Sequence, residues 1–128
     1  MSLVTPLNRV LGLGTASGAA EHWWKQRLTA IALVVLGLWF ATSLVLLRDF
    51  DYASVAAWVR RPVDSIMLIL VVLTVSYHSY LGLQVIIEDY VHAKGLKVVT
   101  LMVTAFAHMG LAIAALFAIL RVAFGGGA

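Results

Sequence analysis

The residue of this 128-residue chain with the clearest chemical potential is His78, which lies deep inside an apolar segment. An ionisable side chain within the hydrocarbon of a membrane is costly, so it usually has a function. Neutral imidazole serves as an axial ligand of haem iron, and its second ring nitrogen then donates a hydrogen bond. The alternative is a packed histidine that hydrogen-bonds a neighbouring helix. His78 is therefore a candidate cofactor ligand.

The same apolar segment ends in a polar pair, Asp89 and Tyr90. At a rise of 1.5 Å per residue, a helix from His78 to Tyr90 would be about 18 Å long, roughly the distance from mid-membrane to the interface. A phenol can donate a hydrogen bond to a carbonyl oxygen, and a neighbouring carboxylate can orient that donor. The pair suits a polar headgroup or a quinone carbonyl, although acidic residues also mark an ordinary helix end at the membrane surface.

Two other side chains could take part in this chemistry. Arg27 precedes the first apolar run and could pair with a carboxylate such as a haem propionate, or contact lipid headgroups. His108 lies near the middle of the last apolar run, at a depth similar to that of His78. It could be a second haem ligand or a packing residue of the kind that is common in membrane helix bundles.

Three long apolar runs must position these residues. The chain is 62% hydrophobic and 12% charged, with a mean hydropathy of +0.99, which is typical of a membrane protein. A spanning helix needs about 20 residues, and the runs at 28–47, 63–87 and 98–120 meet that length. We therefore predict an all-α bundle of three transmembrane helices, formed as a single domain over residues 1–128, with 1–27 as an interfacial segment.

The segments outside the spans are predicted to be irregular. The first 22 residues carry four that disfavour a long helix: Pro6, Gly12, Gly14 and Gly18. This part of the chain lacks a continuous apolar core, so no cleavable signal peptide is expected. Residues 49–61 are predicted as a loop, and Pro62 suits the first turn of the helix that follows.

Composition also limits the cofactors and partners. The absence of cysteine excludes a thiolate-ligated haem, a protein-ligated iron–sulfur cluster and any disulfide. The formal charge of +3 comes from basic residues beside the spans, where lipid headgroups are the usual contacts, and no nucleic-acid site is expected. With a cytoplasmic N-terminus, the cytoplasmic side holds five basic residues and the opposite side four, which weakly favours that orientation.

Three motifs, taken together, resemble a known family. They are HWWKQRLTA at positions 22–30, His78 with Gly82 one turn later, and Asp89-Tyr90-Val91 at the exit of a helix. Their order, spacing and placement in the membrane resemble the small three-span anchor subunits of succinate:quinone oxidoreductases, the respiratory complex II, of the alphaproteobacterial type. The resemblance covers the chain from residue 22 onward.

The resemblance implies a role for each matched residue. His78 would be one axial ligand of a haem b, and a second anchor subunit, a cytochrome b, would supply the other ligand. Tyr90 would hydrogen-bond a ubiquinone carbonyl, with Asp89 beside it at the quinone pocket. Arg27 would lie near a haem propionate or the quinone entrance. His22 is offset by one residue from the histidine expected in that motif, so no role is carried over to it.

The resemblance also implies a setting. The chain would not be an enzyme on its own, because separate flavoprotein and iron–sulfur subunits would oxidise succinate and pass the electrons inward. It would hold those subunits on the bacterial inner membrane, with its N-terminus in the cytoplasm. The same motifs serve succinate oxidation and fumarate reduction. Two alternatives stay open: a self-contained b-type cytochrome in which His78 and His108 clamp one haem, and a structural anchor without a cofactor.

Overall fold

The computed structural model of the protein describes residues 13–125. This part of the chain contains α-helices and no strand, and three of the helices are long and apolar enough to cross a membrane. The prediction of an all-α protein with three spans is therefore confirmed. The helices are α1 (Leu13–Leu46), α2 (Tyr52–Val59), α3 (Pro62–Tyr90) and α4 (Lys94–Phe124).

Helix α1 begins earlier than the glycine-rich sequence suggested. Gly14 and Gly18 both lie within it, so the expectation that they would prevent a long helix is wrong, while Pro6 and Gly12 lie outside the described residues. Each glycine weakens a helix by about 1 kcal/mol relative to alanine. Two such residues do not end a helix when the residues that follow them favour the helical conformation. An ion pair one turn apart, Lys25 Nζ to Glu21 Oε1 at 2.6 Å, supports this part of α1.

The segment predicted as a loop contains the short helix α2. Asp51 caps its N-terminus by accepting a hydrogen bond from the Ser54 backbone N–H at 3.1 Å. Hydrogen bonding with Ser54 also holds the pKa of the exposed Asp51 carboxyl below its usual range. Trp58 of α2 is buried and stacks on Trp39 of α1 with ring centroids 6.2 Å apart. A short helix with one buried aromatic side chain gives too weak a periodic signal to be predicted from sequence.

Helix α3 is central to the bundle. It packs against both α1 and α4, whereas the backbones of α1 and α4 do not come close to each other within residues 13–125. Pro62 lies in the first turn of α3, as its restricted φ favours. At one end of the bundle, α2 packs against α3 and α4, and Trp58, Val59 and Leu68 form a small core there.

Most apolar side chains of the three long helices are exposed in the isolated chain. In the windows of highest hydropathy, between 0% and 6% of the residues are buried. A lipid-facing helix has no need to bury its apolar side chains, so such surfaces are normal for spanning helices. The histidine-bearing helix α3 is thus held between two neighbours, and its two packed faces determine what each histidine contacts.

Candidate functional site

His78 of α3 faces α1. Its Nδ1 lies 2.8 Å from Thr29 Oγ1, and its Nε2 lies 3.5 Å from the amide nitrogen of Gln26. Leu81, one turn further along α3, is 4% exposed and lies beside residues of α1. The imidazole is half-buried. The structure therefore holds this histidine between two polar side chains of the neighbouring helix, one of them at close hydrogen-bonding distance.

A stripe of three polar residues on α1 forms the wall opposite His78. The stripe consists of His22, Gln26 and Thr29, whose spacing of four and then three residues puts them on one helix face. Two of its atoms, His22 Nε2 and Gln26 Oε1, are buried without a hydrogen-bond partner in the described part of the chain. Leaving such a group unpaired costs about 1–3 kcal/mol. This stripe was not predicted as a site, and the signal that could have revealed it is the polar periodicity of residues 22–29.

The stripe borders a cavity between α1 and α3. Its volume is about 700 Å³, and both helices line it: Gly18, His22, Trp23, Gln26, Gly82, Gln84, Val85 and Glu88. Gly82 is a lining residue one turn after His78, as the motif required. A Cβ added at Gly82 would meet the Gln26 amide nitrogen at 3.7 Å, which is an ordinary van der Waals contact. The cavity is therefore mostly apolar and is lined by a few polar side chains, among them His22 and Gln26, as ligand pockets commonly are.

Arg27 does not contact His78. Its side chain turns to the exposed surface of α1, where the guanidinium carbon lies 5.3 Å from the ring centroid of Trp23. This is cation–π distance, and the contact holds the charge next to a residue that lines the cavity. The role of Arg27 at a haem propionate or the quinone entrance stays a prediction.

Asp89 and Tyr90 are the last two residues of α3, and both are exposed. The Tyr90 side chain is 78% exposed. Its backbone carbonyl oxygen lies 3.0 Å from His92 Nδ1 in the connector to α4. Neither residue lines the cavity beside His78. The two predicted parts of the site, ligand and polar pair, therefore lie on one helix but at different levels of the bundle.

His108 of α4 faces α3 and is engaged there. Its Nδ1 lies 2.8 Å from the Thr104 carbonyl oxygen, and its Nε2 lies 3.2 Å from Ser79 Oγ. Ser76 Oγ donates a hydrogen bond to the His108 backbone oxygen at 3.0 Å. His78 contacts Thr29 of α1, whereas His108 contacts Ser79 of α3, so the two imidazoles do not converge on one site. This geometry argues against a haem clamped by both histidines within one chain.

Within the described residues, no group of three or more His, Cys, Asp or Glu side chains could hold a metal ion. Haem iron can be held by as few as one protein side chain, so a haem ligand does not need a cluster of this kind. The described residues therefore contain no complete metal site, and His78 lies behind Gln26, one of the residues that line the cavity together with His22.

Comparisons with known proteins identify the family. The sequence model of one protein family, the succinate dehydrogenase/fumarate reductase transmembrane subunit, matches residues 1–120 of this chain. The succinate dehydrogenase hydrophobic membrane anchor subunit of Rickettsia bellii is 37% identical over 84 residues, 66% of this chain and 67% of that protein. Its counterpart in Paracoccus denitrificans is 26% identical over 125 residues, 98% of this chain and 96% of that protein. The succinate dehydrogenase membrane anchor subunit of Reclinomonas americana is 33% identical over 91 residues, which are 68% of this chain and 74% of that protein.

No solved structure is significantly similar to the chain. The relatives are named as membrane anchors and not as the catalytic flavoprotein or iron–sulfur subunits, which confirms that this chain is not the enzyme by itself. The resemblance seen in the three sequence motifs is confirmed as well. The chain belongs to the family of succinate dehydrogenase and fumarate reductase transmembrane subunits.

Proposed function

We propose that this membrane-anchor subunit holds one face of a haem b through His78 and contributes Tyr90 and Asp89 to a ubiquinone site. The observation that carries the proposal is the half-buried His78, which contacts Gln26 in the wall of a cavity between α1 and α3. In this role the chain acts as one membrane domain. It helps to convey electrons from succinate oxidation to quinone, and it keeps the soluble subunits on the membrane.

The residues around His78 fit a haem. The amide of Gln26 makes one long contact, 3.5 Å to His78 Nε2, and its oxygen has no partner within residues 13–125. Gln26 can therefore move away from Nε2 at little cost and expose the nitrogen lone pair. The cavity of about 700 Å³ adjoins this position, within the range of about 300–1,000 Å³ typical of ligand pockets. When bound, a haem supplies one-electron transfer at a potential that its surroundings tune.

The second axial ligand belongs to another chain in this proposal. His108 is occupied by Ser79 of α3 and by the Thr104 carbonyl of its own helix. A second anchor subunit, a cytochrome b, would therefore supply the partner histidine. Arg27 supports this arrangement, because its exposed guanidinium rests on Trp23 at the edge of the cavity and can pair with a haem propionate or line the quinone entrance.

Tyr90 and Asp89 would act on the quinone. An exposed phenol at the end of α3 can donate a hydrogen bond to a ubiquinone carbonyl oxygen. This hydrogen bond strengthens as negative charge develops on that oxygen, which is the logic of an oxyanion donor. Asp89 precedes Tyr90 and can orient the phenol or accept a proton at the same surface.

The topology suggests which membrane face carries the quinone site. Consecutive spans run antiparallel, so the start of α1, the end of α3 and the start of α4 share one face. The weak excess of basic residues favours the cytoplasm for this face. The iron–sulfur and flavoprotein subunits would bind there, next to Tyr90, on the inner membrane of a bacterium. The alternatives are the single-chain cytochrome, which the separation of His78 from His108 disfavours, and an anchor without cofactor.

The test is a visible difference spectrum of the complex purified from membranes through a tag on this chain. His78→Ala should remove or strongly shift the b-type band while the flavoprotein and iron–sulfur subunits still copurify. His92→Ala, in the exposed connector after α3, is the matched control and should leave the band unchanged. An unchanged band in His78→Ala would exclude this histidine as ligand, and no b-type band in the wild type would indicate an anchor without haem.

The quinone site is tested separately with Tyr90→Phe, which removes the hydroxyl and keeps the ring. Removal of one donor to a developing oxyanion slows reactions by about 10²–10³-fold, so succinate-to-ubiquinone turnover should fall toward that extent. Electron transfer from succinate to a soluble dye, which bypasses the membrane, should stay at the wild-type rate. Equal turnover of ubiquinone by Tyr90→Phe and wild type would contradict the role of Tyr90.

A further inference from the structure

We propose that Thr29 is a positioning residue for the haem ligand: it holds the His78 imidazole in the tautomer with a proton on Nδ1, so that Nε2 is the nitrogen presented to iron. The inference rests on the proposed function, because it specifies how the ligand of that site is prepared. Thr29 lies 49 positions before His78 in the chain and reaches it from α1.

The hydrogen bonds around the Thr29 hydroxyl favour this tautomer. Oγ1 lies 2.8 Å from the Lys25 carbonyl oxygen, 3.1 Å from the Gln26 carbonyl oxygen and 2.8 Å from His78 Nδ1. The two carbonyls can only accept, so the single hydroxyl hydrogen satisfies one of them. Oγ1 then has a lone pair to accept a hydrogen bond from Nδ1–H. With the proton on Nδ1, both the hydroxyl and the ring have their hydrogen bonds.

The contact at the other ring nitrogen points the same way. The Gln26 amide nitrogen, which can only donate, lies 3.5 Å from His78 Nε2. A proton on Nε2 would set two donors against each other, whereas a lone pair on Nε2 can accept this weak hydrogen bond. Both ring nitrogens therefore have surroundings that suit a proton on Nδ1 and a lone pair on Nε2.

Thr29 is also stiff enough to fix the orientation of the ring. Its β-branched side chain has restricted χ1 rotamers in a helix, and its hydroxyl is tied to the carbonyl one turn earlier. A hydrogen bond donated by Nδ1–H increases the electron density on Nε2 and makes it a stronger ligand. A more basic ligand favours the higher oxidation state of iron, so this contact lowers the haem midpoint potential.

The chain provides a matched control. Thr42, also on α1, makes the same bond to its own helix, Oγ1 to the Leu38 carbonyl oxygen at 2.7 Å, and it is exposed. Replacing either threonine by valine keeps the side-chain shape and removes one hydroxyl. The two variants therefore differ in whether the lost hydroxyl contacts the ligand histidine.

The experiment compares complexes purified from membranes: wild type, Thr29→Val, Thr29→Ser, Thr42→Val and His78→Ala. The readouts are haem content per flavin, the rate of haem transfer to excess apomyoglobin, and the haem midpoint potential. Loss of a hydrogen-bond partner behind a metal ligand weakens metal binding about 10–100-fold. Thr29→Val should therefore release haem faster by that factor and raise the midpoint potential. Thr29→Ser and Thr42→Val should match the wild type.

The outcomes separate this inference from the proposed function. Haem retained in His78→Ala would refute the role of His78 and the inference with it. Haem lost in His78→Ala, but a wild-type potential and release rate in Thr29→Val, would overturn the inference alone. The same effect in Thr29→Val and Thr29→Ser would also overturn it, because serine keeps the hydroxyl and the loss of that group could then not be the cause. Faster haem release and a raised midpoint potential in Thr29→Val, with wild-type values in Thr29→Ser, support the inference.

Discussion

The contacts of His108 predict that His108→Leu leaves the b-type haem in place and weakens the bundle slightly. In the structure, His108 Nε2 lies 3.2 Å from Ser79 Oγ, and this is the hydrogen bond between α3 and α4 that the substitution removes. The contact of Nδ1 with the Thr104 carbonyl is within α4 and does not join the two helices. The neighbouring bond from Ser76 goes to the backbone oxygen of His108 and survives. One interhelical hydrogen bond is therefore lost.

The magnitude follows from that count. Interhelical hydrogen bonds in membranes contribute on average about 0.6 kcal/mol and at most about 1.7 kcal/mol. Since about 1.4 kcal/mol corresponds to a factor of ten, the equilibrium for separating α3 from α4 should shift about threefold, and at most about twentyfold. Leucine is apolar and of comparable size, so packing in the groove between the helices is largely kept.

The assay is a double-mutant cycle with His108→Leu, Ser79→Ala and the double variant. The free energy of unfolding is measured for the anchor subunit by titrating SDS into mixed micelles, and the b-type spectrum is measured on the purified complex. The coupling between the two positions should be close to 0.6 kcal/mol. Ser76→Ala, which removes a separate α3–α4 bond without touching the imidazole, should show no coupling with Ser79→Ala.

Two results would refute this reasoning. Loss of the b-type band in His108→Leu, with the band intact in Ser79→Ala, would make His108 an iron ligand and revive the single-chain cytochrome. A coupling energy well above about 2 kcal/mol would mean that the imidazole does more than join two helices.

Three other predictions concern the cavity wall, the small core and the cap of α2. Gly82→Ala should keep haem, because its Cβ makes an ordinary 3.7 Å contact with Gln26, whereas Gly82→Leu should fill part of the cavity and lower the haem content of the purified complex. Trp58→Ala should lower the free energy of unfolding by about 3–5 kcal/mol, and Trp24→Ala, at a 66% exposed position, should have little effect in the same SDS titration. The pKa of Asp51 is lowered in the folded protein, so its stabilisation is complete above about pH 4 and disappears as the pH falls through the folded-state pKa. Asp51→Ala should therefore reduce the stability of the protein at pH 7. The stability of this variant should also fall less than that of the wild type as the pH is lowered, as followed by thermal unfolding.

The spans and the family could be predicted from sequence because both depend on local information. In lipid, the backbone must satisfy its hydrogen bonds internally, so a long apolar run predicts a spanning helix without any knowledge of its neighbours. The placement of His78 in such a run and of Asp89 and Tyr90 at its end depends on spacing alone. The start of α1 and the existence of α2 were missed, because glycine content and a short apolar segment are weak signals beside packing and capping.

The sequence by itself determined which residues could do chemistry, where each lies along its apolar run, and to which family the chain belongs. The tertiary structure decided what each histidine faces: His78 meets Thr29 and Gln26 of α1, and His108 meets Ser79 of α3. Helical periodicity assigns a residue to a face of its helix, but the neighbour that covers that face depends on how helices distant in sequence pack together. For that reason the pairing of His78 with Thr29, and the separation of the two histidines, could be read from the packed helices alone.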